Sequence, residues 1–174
     1  MMENTCMKKK VRWSRYVKVM TFIFLPFIFA TDVWMLIQLF SADSQLEIYF
    51  DLCVFLILTS TIIAVFVFAP KEIEVSDFDL CLYRGIGNVK INLFDIVEVS
   101  SYKSVGVEIR IFGISGIFGE IGKYRNRKIG NYISYVGDYS QAFLVKRTDG
   151  KKYLFSCEDR DEIVLLLKSR IGKK

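Results

Sequence analysis

Glycine recurs at every third position from 113 to 122 in the stretch FGISGIFGEIGKYRNRKIG, which covers residues 112–130. The glycines of this repeat are Gly113, Gly116, Gly119 and Gly122, and Lys123 follows the last of them. A glycine-rich loop that ends in lysine can hold phosphate groups, so nucleotide binding is the first chemistry to consider. That loop needs the pattern G-x-x-x-x-G-K-[ST]. Because Tyr124 replaces the Ser or Thr and Ile117 replaces the first glycine, the stretch is not a nucleotide loop.

The sequence offers few residues for catalysis. It contains no histidine, so a Ser or Cys nucleophile lacks its usual base. The carboxylates Glu98, Glu108 and Glu120 fall on strand or loop positions with no evident pairing. The four cysteines contain no C-x-x-C pair, so neither a disulfide nor a zinc site is expected. We therefore expect a protein that is not an enzyme and that holds no cofactor or metal.

Two long apolar runs precede Pro70, over residues 19–40 and 48–68, and each is long enough to cross a membrane as a helix. Each run contains one charged residue, Asp32 in the first and Asp51 in the second. At 1.5 Å per residue each helix reaches roughly 30 Å, which is the thickness of the hydrocarbon core. The sequence therefore predicts a two-helix transmembrane hairpin over residues 19–69. A cleaved signal peptide is the alternative for the first run, but the run is too long and has no A-x-A-like end.

Asp32 is a candidate polar site inside the membrane. It lies roughly 12 Å from the outer end of its helix, where a carboxylate is costly. One interpretation is a proton or ion relay. The other is a protonated or hydrogen-bonded Asp32 that faces the second helix, where Thr59 lies within about one turn of the same level.

The distribution of basic residues predicts the orientation of the hairpin. The loop between the helices contains no Lys or Arg, whereas the segment before the first helix is strongly basic and Lys71 follows the second. The basic residues of that segment are Lys8, Lys9, Lys10, Arg12, Arg15 and Lys18. By the positive-inside rule, residues 1–18 form a cytoplasmic N-terminus and both termini lie in the cytoplasm. We expect the protein in the cytoplasmic (inner) membrane.

Residues 70–174 change to short strands separated by turns, which predicts a second, cytoplasmic domain. Val105, Val107, Ile109 and Ile111 alternate with Gly and charged residues, as in a half-buried strand. Asp149-Gly150 is a strong hairpin signal. The predicted strands number about seven or slightly more and cover residues 72–75, 79–83, 88–92, 96–101, 105–111, 132–136, 142–148 and 151–156.

The chain ends in a pattern that predicts one helix. Ser156 followed by Asp159 is typical of a capping box. An apolar face follows, formed by Ile163, Leu166, Leu167 and Ile171. The fold class is therefore α+β, with about seven antiparallel strands closed by a C-terminal helix.

This order of elements resembles a pleckstrin-homology-like (PH-like) split β-barrel with a capping helix. The preceding hairpin makes the chain similar to membrane-anchored bacterial PH domain proteins. The glycine- and aromatic-rich segment at residues 109–138 and the YLFSCED stretch at residues 153–159 resemble one group of them. PH domains of the eukaryotic type that bind phosphoinositides carry basic residues around the first hairpin loop. The matching segment here, VSDFD at residues 75–79, is acidic, so that mode of lipid recognition is not expected.

The glycine stretch is the best candidate for a contact surface, because it combines large apolar residues with a basic cluster. Its candidate residues are Phe112, Ile117, Phe118, Lys123, Arg125, Arg127 and Lys128. Three interpretations stay open. The stretch packs its apolar residues on the barrel and leaves its charges in water, or it contacts anionic lipid at the interface, or it binds a protein.

The leading hypothesis is a non-enzymatic interaction or scaffolding module that is held at the membrane by the hairpin. Its expected partners are the lipid bilayer and a protein or a second copy of the chain. The net charge of +5 is too mild for a nucleic-acid-binding surface. The alternative is a small membrane-protein subunit or transport accessory that acts through its helices.

Overall fold

The computed structural model describes residues 6–41, 44–104 and 106–172, and within these ranges it contains three α-helices and ten β-strands. The helices are α1 (Arg15–Ser41), α2 (Gln45–Phe68) and α3 (Arg160–Ile171). The strands are β1 (Met7–Lys10), β2 (Glu72–Val75), β3 (Asp79–Tyr83), β4 (Val89–Asn92), β5 (Ile96–Ser101), β6 (Ile109–Ile114), β7 (Glu120–Asn126), β8 (Gly130–Val136), β9 (Ala142–Arg147) and β10 (Lys152–Ser156).

Helices α1 and α2 form an antiparallel pair. Both begin earlier than the apolar runs predict, because polar residues supply their first turns. Ser44 caps α2 by accepting a hydrogen bond from the Glu47 amide at 3.3 Å. Residues 15–38 and 45–68 are long and apolar enough to cross a membrane, by length and composition, and only 6% of each apolar window is buried inside the protein. Most of their apolar side chains therefore face outward.

The strands form two sheets. One has the order β1-β2-β3-β4, and the other has the order β5-β9-β10-β8-β7-β6. Hydrogen-bonded neighbours are antiparallel except β8 and β10, which are parallel and pair Ile133 with Tyr153. The expectation that all the strands pair antiparallel is therefore wrong. The described residues after α2 form nine strands, where about seven or slightly more were expected. After β8 the chain passes through the short 3-10 helix Tyr139–Gln141 into β9. The next strand, β10, lies between β9 and β8 and runs parallel to β8.

The two sheets do not close into a barrel. Among the described residues no strand pair joins the four-stranded sheet to the six-stranded sheet. The main core lies between them and is completed by α3, which buries Ile163 and Leu167 completely. The largest fully buried side chains on the sheet side include Leu82, Phe143 and Phe155.

The predicted capping box of α3 is wrong. Ser156 ends β10 and is fully buried, and its hydroxyl accepts hydrogen bonds from the amides of Gly137 at 2.8 Å and Asp138 at 3.3 Å. Asp159 stands at the N-cap with φ 51° and makes no side-chain capping bond. The hydroxyl is used by the neighbouring turn, and the helix therefore starts without it.

Strand β6 is not half-buried as its alternation predicts. It is the edge of the six-stranded sheet, and Ile109 and Ile111 are 54% and 56% exposed. Val107 lies before the strand and is also exposed, and Val105 lies outside the described residues. The alternation reflects the strand geometry, but in the described part of the chain no second layer covers the apolar side.

Candidate functional site: the junction between the helices and the sheet

The turn between β6 and β7 packs against the long helices. Phe118, at φ 57°, is 7% exposed and lies edge-on to Trp13 at 5.6 Å and to Phe66 at 5.5 Å between ring centroids. Its backbone amide donates a hydrogen bond to Thr21 Oγ1 at 3.1 Å. The turn therefore joins α1 and α2 to the six-stranded sheet.

Two glycines allow β6 and β7 to meet closely behind that turn. Gly113 and Gly122 are cross-strand partners. A Cβ at Gly113 would lie 2.1 Å from the carbonyl oxygen of Ile121, and one at Gly122 would lie 2.2 Å from that of Phe112. The glycine repeat thus serves the geometry of a hairpin.

Two other turns contact the helical part of the chain. In the β3–β4 turn the Gly85 amide donates to the carbonyl of Val67 at 2.8 Å, where a Cβ on Gly85 would lie 2.8 Å from the same oxygen. Beyond β8 the carbonyl of Gly137 accepts a hydrogen bond from the Ser14 amide at 2.9 Å. Backbone contacts at these two turns and the packed turn at Phe118 hold the helices on the domain.

The N-terminal segment is part of the domain, which sequence reasoning missed. Strand β1 pairs with β2, the Glu158 amide donates to the Lys10 carbonyl at 2.9 Å, and the Val11 amide donates to the Lys71 carbonyl at 2.8 Å. The positive-inside rule counts the three lysines of β1 only as charges. The sequence signal for the pairing is their charge complementarity to the acidic EIEV of β2, since Lys8 pairs with Glu72 at 2.6 Å.

The seven candidate contact residues separate into two places. Ile117 and Phe118 belong to the turn that packs on the helices. Phe112 is 76% exposed on the edge strand, and the four cations, Lys123, Arg125, Arg127 and Lys128, are exposed along β7 and its turn into β8. From Glu120 to Asn126 the strand spans about 20 Å. The last two cations therefore lie far from the apolar turn.

The structure brings Asp32 and Thr59 together between the two long helices. The Thr59 hydroxyl donates to Asp32 Oδ2 at 3.3 Å. Asp32 Oδ1 is buried and has no hydrogen-bond partner among the described residues. Only one of the two carboxylate oxygens of Asp32 is therefore hydrogen-bonded among the described residues.

A polar cavity of about 390 Å³ lies between the first turn of α1 and the six-stranded sheet. We call it the tyrosine–glutamate cavity, and its walls are formed by Tyr16, Glu108, Arg110, Ser115, Glu120, Tyr124 and Tyr139. Sequence reasoning regarded its two carboxylates as scattered. Arg110 and Tyr124 are cross-strand partners, which places their side chains on one face of the β6–β7 hairpin. Glu98 lies elsewhere and pairs with Lys146 at 2.7 Å.

Both cavity carboxylates receive hydrogen bonds from hydroxyl groups. Tyr102 and Tyr132 each donate to Glu108 at 2.6 Å. Glu120, which is 8% exposed, accepts from Ser115 and Tyr124 at 2.8 Å each. Burial, with the hydrogen bonds to these carboxylates as the next cause, raises the pKa of Tyr102, Tyr124 and Tyr132. These phenols are therefore neutral donors at physiological pH.

Metal-binding clusters are not found in the part of the chain that the structure describes: no three or more Cys, Asp or Glu side chains are grouped to hold an ion. The cysteines Cys6, Cys53, Cys81 and Cys157 are all free thiols. Burial raises the pKa of Cys157 to about 12, so this thiol is a poor nucleophile.

A family model described as "Bacterial PH domain" matches residues 71–171, which is more than half of the chain. The matched range begins after α2 and ends with α3, so it contains every strand except β1. No curated protein and no solved structure matches the chain.

Proposed function

The chain belongs to the bacterial PH domain family, and from this membership we propose that it is a non-enzymatic scaffolding module anchored on the cytoplasmic face of the inner membrane. PH-like domains are modules for protein or lipid interaction. The two apolar helices supply the anchor, and the domain presents the contact surface.

The observation that carries the proposal is the packing of Phe118 between Trp13 and Phe66, together with its hydrogen bond to Thr21. Contacts from turns to both helices fix the orientation of the domain relative to the anchor. A scaffold benefits from such an arrangement, because a pre-oriented surface loses less freedom when it binds.

The surface left for a partner is the β6 edge with the neighbouring cations of β7. An edge strand offers unpaired backbone groups to an extended segment. Phe112 adds an exposed aromatic ring, and Lys123 and Arg125 add positive charge. The partner is accordingly a protein with an acidic, extended segment, and anionic lipid is the competing partner of this surface.

The test is cross-linking in native membranes, followed by identification of the proteins that co-purify with the full chain. The contact variant carries K123Q, R125Q, R127Q and K128Q. We expect it to lose its protein partners while it stays in the membrane. Unchanged partners together with weaker retention on anionic vesicles would assign the surface to lipid, and no change in either measurement would overturn the proposal.

One observation favours a second function, that of a subunit which acts through its helices. Asp32 Oδ1 is buried inside the helix pair and has no partner among the residues that the structure describes, so a further transmembrane segment with a donor would satisfy it. The variants D32N and T59V test this function in the same experiment. If the helix variants lose the co-purifying proteins and the contact variant keeps them, the subunit function is correct.

A further inference from the structure

The tyrosine–glutamate cavity has a composition that selects for a cation. Its walls carry two carboxylates, those of Glu108 and Glu120, and one guanidinium, that of Arg110. The remaining walls are tyrosine rings and one serine. The formal charge of the cavity is therefore negative.

The two carboxylates have no cationic partner among the described residues. Their recorded hydrogen bonds come from the hydroxyls of tyrosine and serine side chains. Each carboxylate offers about four acceptor positions, so the hydroxyls leave capacity for another donor. A buried carboxylate without a counter-ion is costly, and a bound cation offsets that cost.

An organic ammonium fits the cavity better than a metal ion does. Hard cations such as Ca²⁺ need about six or more oxygen ligands at short range, and in the described ranges no group of three or more acidic or thiol side chains is available. The volume of about 390 Å³ exceeds what a bare ion occupies. Tyr16, Tyr124 and Tyr139 also line the cavity, and tyrosine rings attract ammonium groups.

Arg110 indicates that the ligand also carries an anion. This side chain is exposed at the cavity, on the same face of the hairpin as Tyr124, and it is in no ion pair among the residues described. Guanidinium groups bind phosphate strongly and with defined geometry. An ammonium near the glutamates and a phosphate near Arg110 together describe a zwitterion.

We propose that the tyrosine–glutamate cavity binds a primary ammonium group that is joined to a phosphate, as in a phosphoethanolamine head group. Tyr16 lies in the first turn of α1, so the cavity is situated at the end of the helix where the anchor begins. A phosphatidylethanolamine molecule in the adjoining leaflet supplies this chemistry, and so does a soluble phosphoethanolamine compound. Only the lipid source rests on the proposed membrane anchoring.

The experiment uses the purified full chain in detergent, in two arms. In the first arm, native mass spectrometry measures retained lipid after incubation with an equimolar mixture of phosphatidylethanolamine, phosphatidylcholine and phosphatidylglycerol. In the second arm, calorimetry measures binding of glycerophosphoethanolamine. We expect retention of phosphatidylethanolamine to exceed that of each other lipid by about tenfold, since one charge-assisted hydrogen bond is worth that ratio.

The variants locate the binding in the cavity. Glu120→Gln is expected to remove the preference, and Arg110→Gln to weaken binding by about tenfold. Glu98→Gln is the matched control, because this carboxylate is exposed and lies outside the cavity. If Glu120→Gln fails to fold, Arg110→Gln decides, since an exposed arginine is replaced without disturbing buried hydrogen bonds.

If glycerophosphoethanolamine binds but no lipid is preferred, the cavity binds the zwitterion and its ligand is a soluble compound. This result does not depend on the proposed membrane anchoring. Equal retention of the three lipids with no binding of the soluble compound overturns the proposal. It is also overturned if Mg²⁺ or Ca²⁺ binds in a Glu120-dependent manner while neither ammonium compound does. Lipid preference that Arg110→Gln leaves unchanged contradicts the zwitterion assignment.

Discussion

Gly113 and Gly122 show how two residues without side chains determine the shape of the β6–β7 hairpin. Each adopts a φ angle near +130°, which L-residues other than glycine rarely adopt. Each also lies where a Cβ would overlap a carbonyl oxygen of the opposite strand. The close approach of the strands determines the position of the turn, and in this position Phe118 packs against the helices.

Gly122→Ala is expected to lower the free energy of unfolding by about 3 kcal/mol, from backbone strain and steric overlap together. Gly150→Ala is the matched control, because Gly150 has φ 78° but no atom within 4 Å of an added Cβ. It should cost about 1 kcal/mol. Urea unfolding of the full chain in detergent measures both, and equal losses would show that steric overlap at Gly122 is absent.

The tyrosines of the cavity region predict a pH dependence. Burial raises the pKa of Tyr124 and Tyr132 above the value of the unfolded chain, which is about 10. A raised pKa in the folded state stabilises the fold at pH values below about 10, and this contribution is lost as the pH rises further. In the native protein at about pH 11, these two phenols should therefore stay protonated.

The variant Y124F/Y132F checks this prediction through tyrosinate absorbance near 295 nm. It should match the wild type in the native alkaline titration and fall below it only after unfolding. A smaller native signal in the variant would mean that these phenols ionise in the folded protein and that burial does not raise their pKa.

At the scale of elements, the sequence predicts the helices and hairpins that depend on neighbouring residues. The two apolar runs became α1 and α2, and the hairpin around Asp149-Gly150 joins β9 and β10 as predicted. Strand β1 was missed because MKKK has no apolar alternation, and its pairing with β2 depends on residues 62 to 68 positions away in the chain. The parallel pairing of β8 and β10 was missed for the same reason, since it depends on tertiary order.

The candidate site was predictable only in part. The spacing along two antiparallel helices placed Asp32 near Thr59, because the short loop fixes their level. No local pattern relates Glu108 to Glu120, and they line one cavity only because β6 and β7 pair as a hairpin. The turn at Ile117 and Phe118 is close in sequence to Arg127 and Lys128, yet β7 extends from one to the other and separates them.

Phe118→Ala tests the turn as the connection between the helices and the sheet. Loss of the ring leaves a cavity between Trp13 and Phe66, and we expect the free energy of unfolding to fall by about 3 kcal/mol. Phe112→Ala is the matched control, because the same side chain is 76% exposed there. In a Trp34→Phe background the emission of Trp13 should shift to longer wavelength in Phe118→Ala alone. A Trp13 spectrum that neither variant changes would contradict the packing.

At the scale of the whole molecule, both ends of the helix pair meet one domain. Strand β1 precedes α1 and pairs with β2, which follows α2. The N-terminal segment and the family-matched domain must therefore lie on the same side of any membrane that the pair crosses. The loop between α1 and α2 then lies on the other side, which agrees with the charge distribution that the positive-inside rule uses.

Labelling of single cysteines with a membrane-impermeant maleimide tests this arrangement in spheroplasts. One variant keeps native Cys6, which is exposed, and replaces Cys53, Cys81 and Cys157 by alanine. The other replaces all four native cysteines and carries Ser44→Cys at an exposed position directly before α2. We expect Ser44→Cys to react in intact spheroplasts and Cys6 to react only after permeabilisation, because the proposed topology places them on opposite sides of the bilayer. Reaction of Cys6 in intact spheroplasts would reverse the topology, and reaction of both residues would show that the helix pair does not span the membrane.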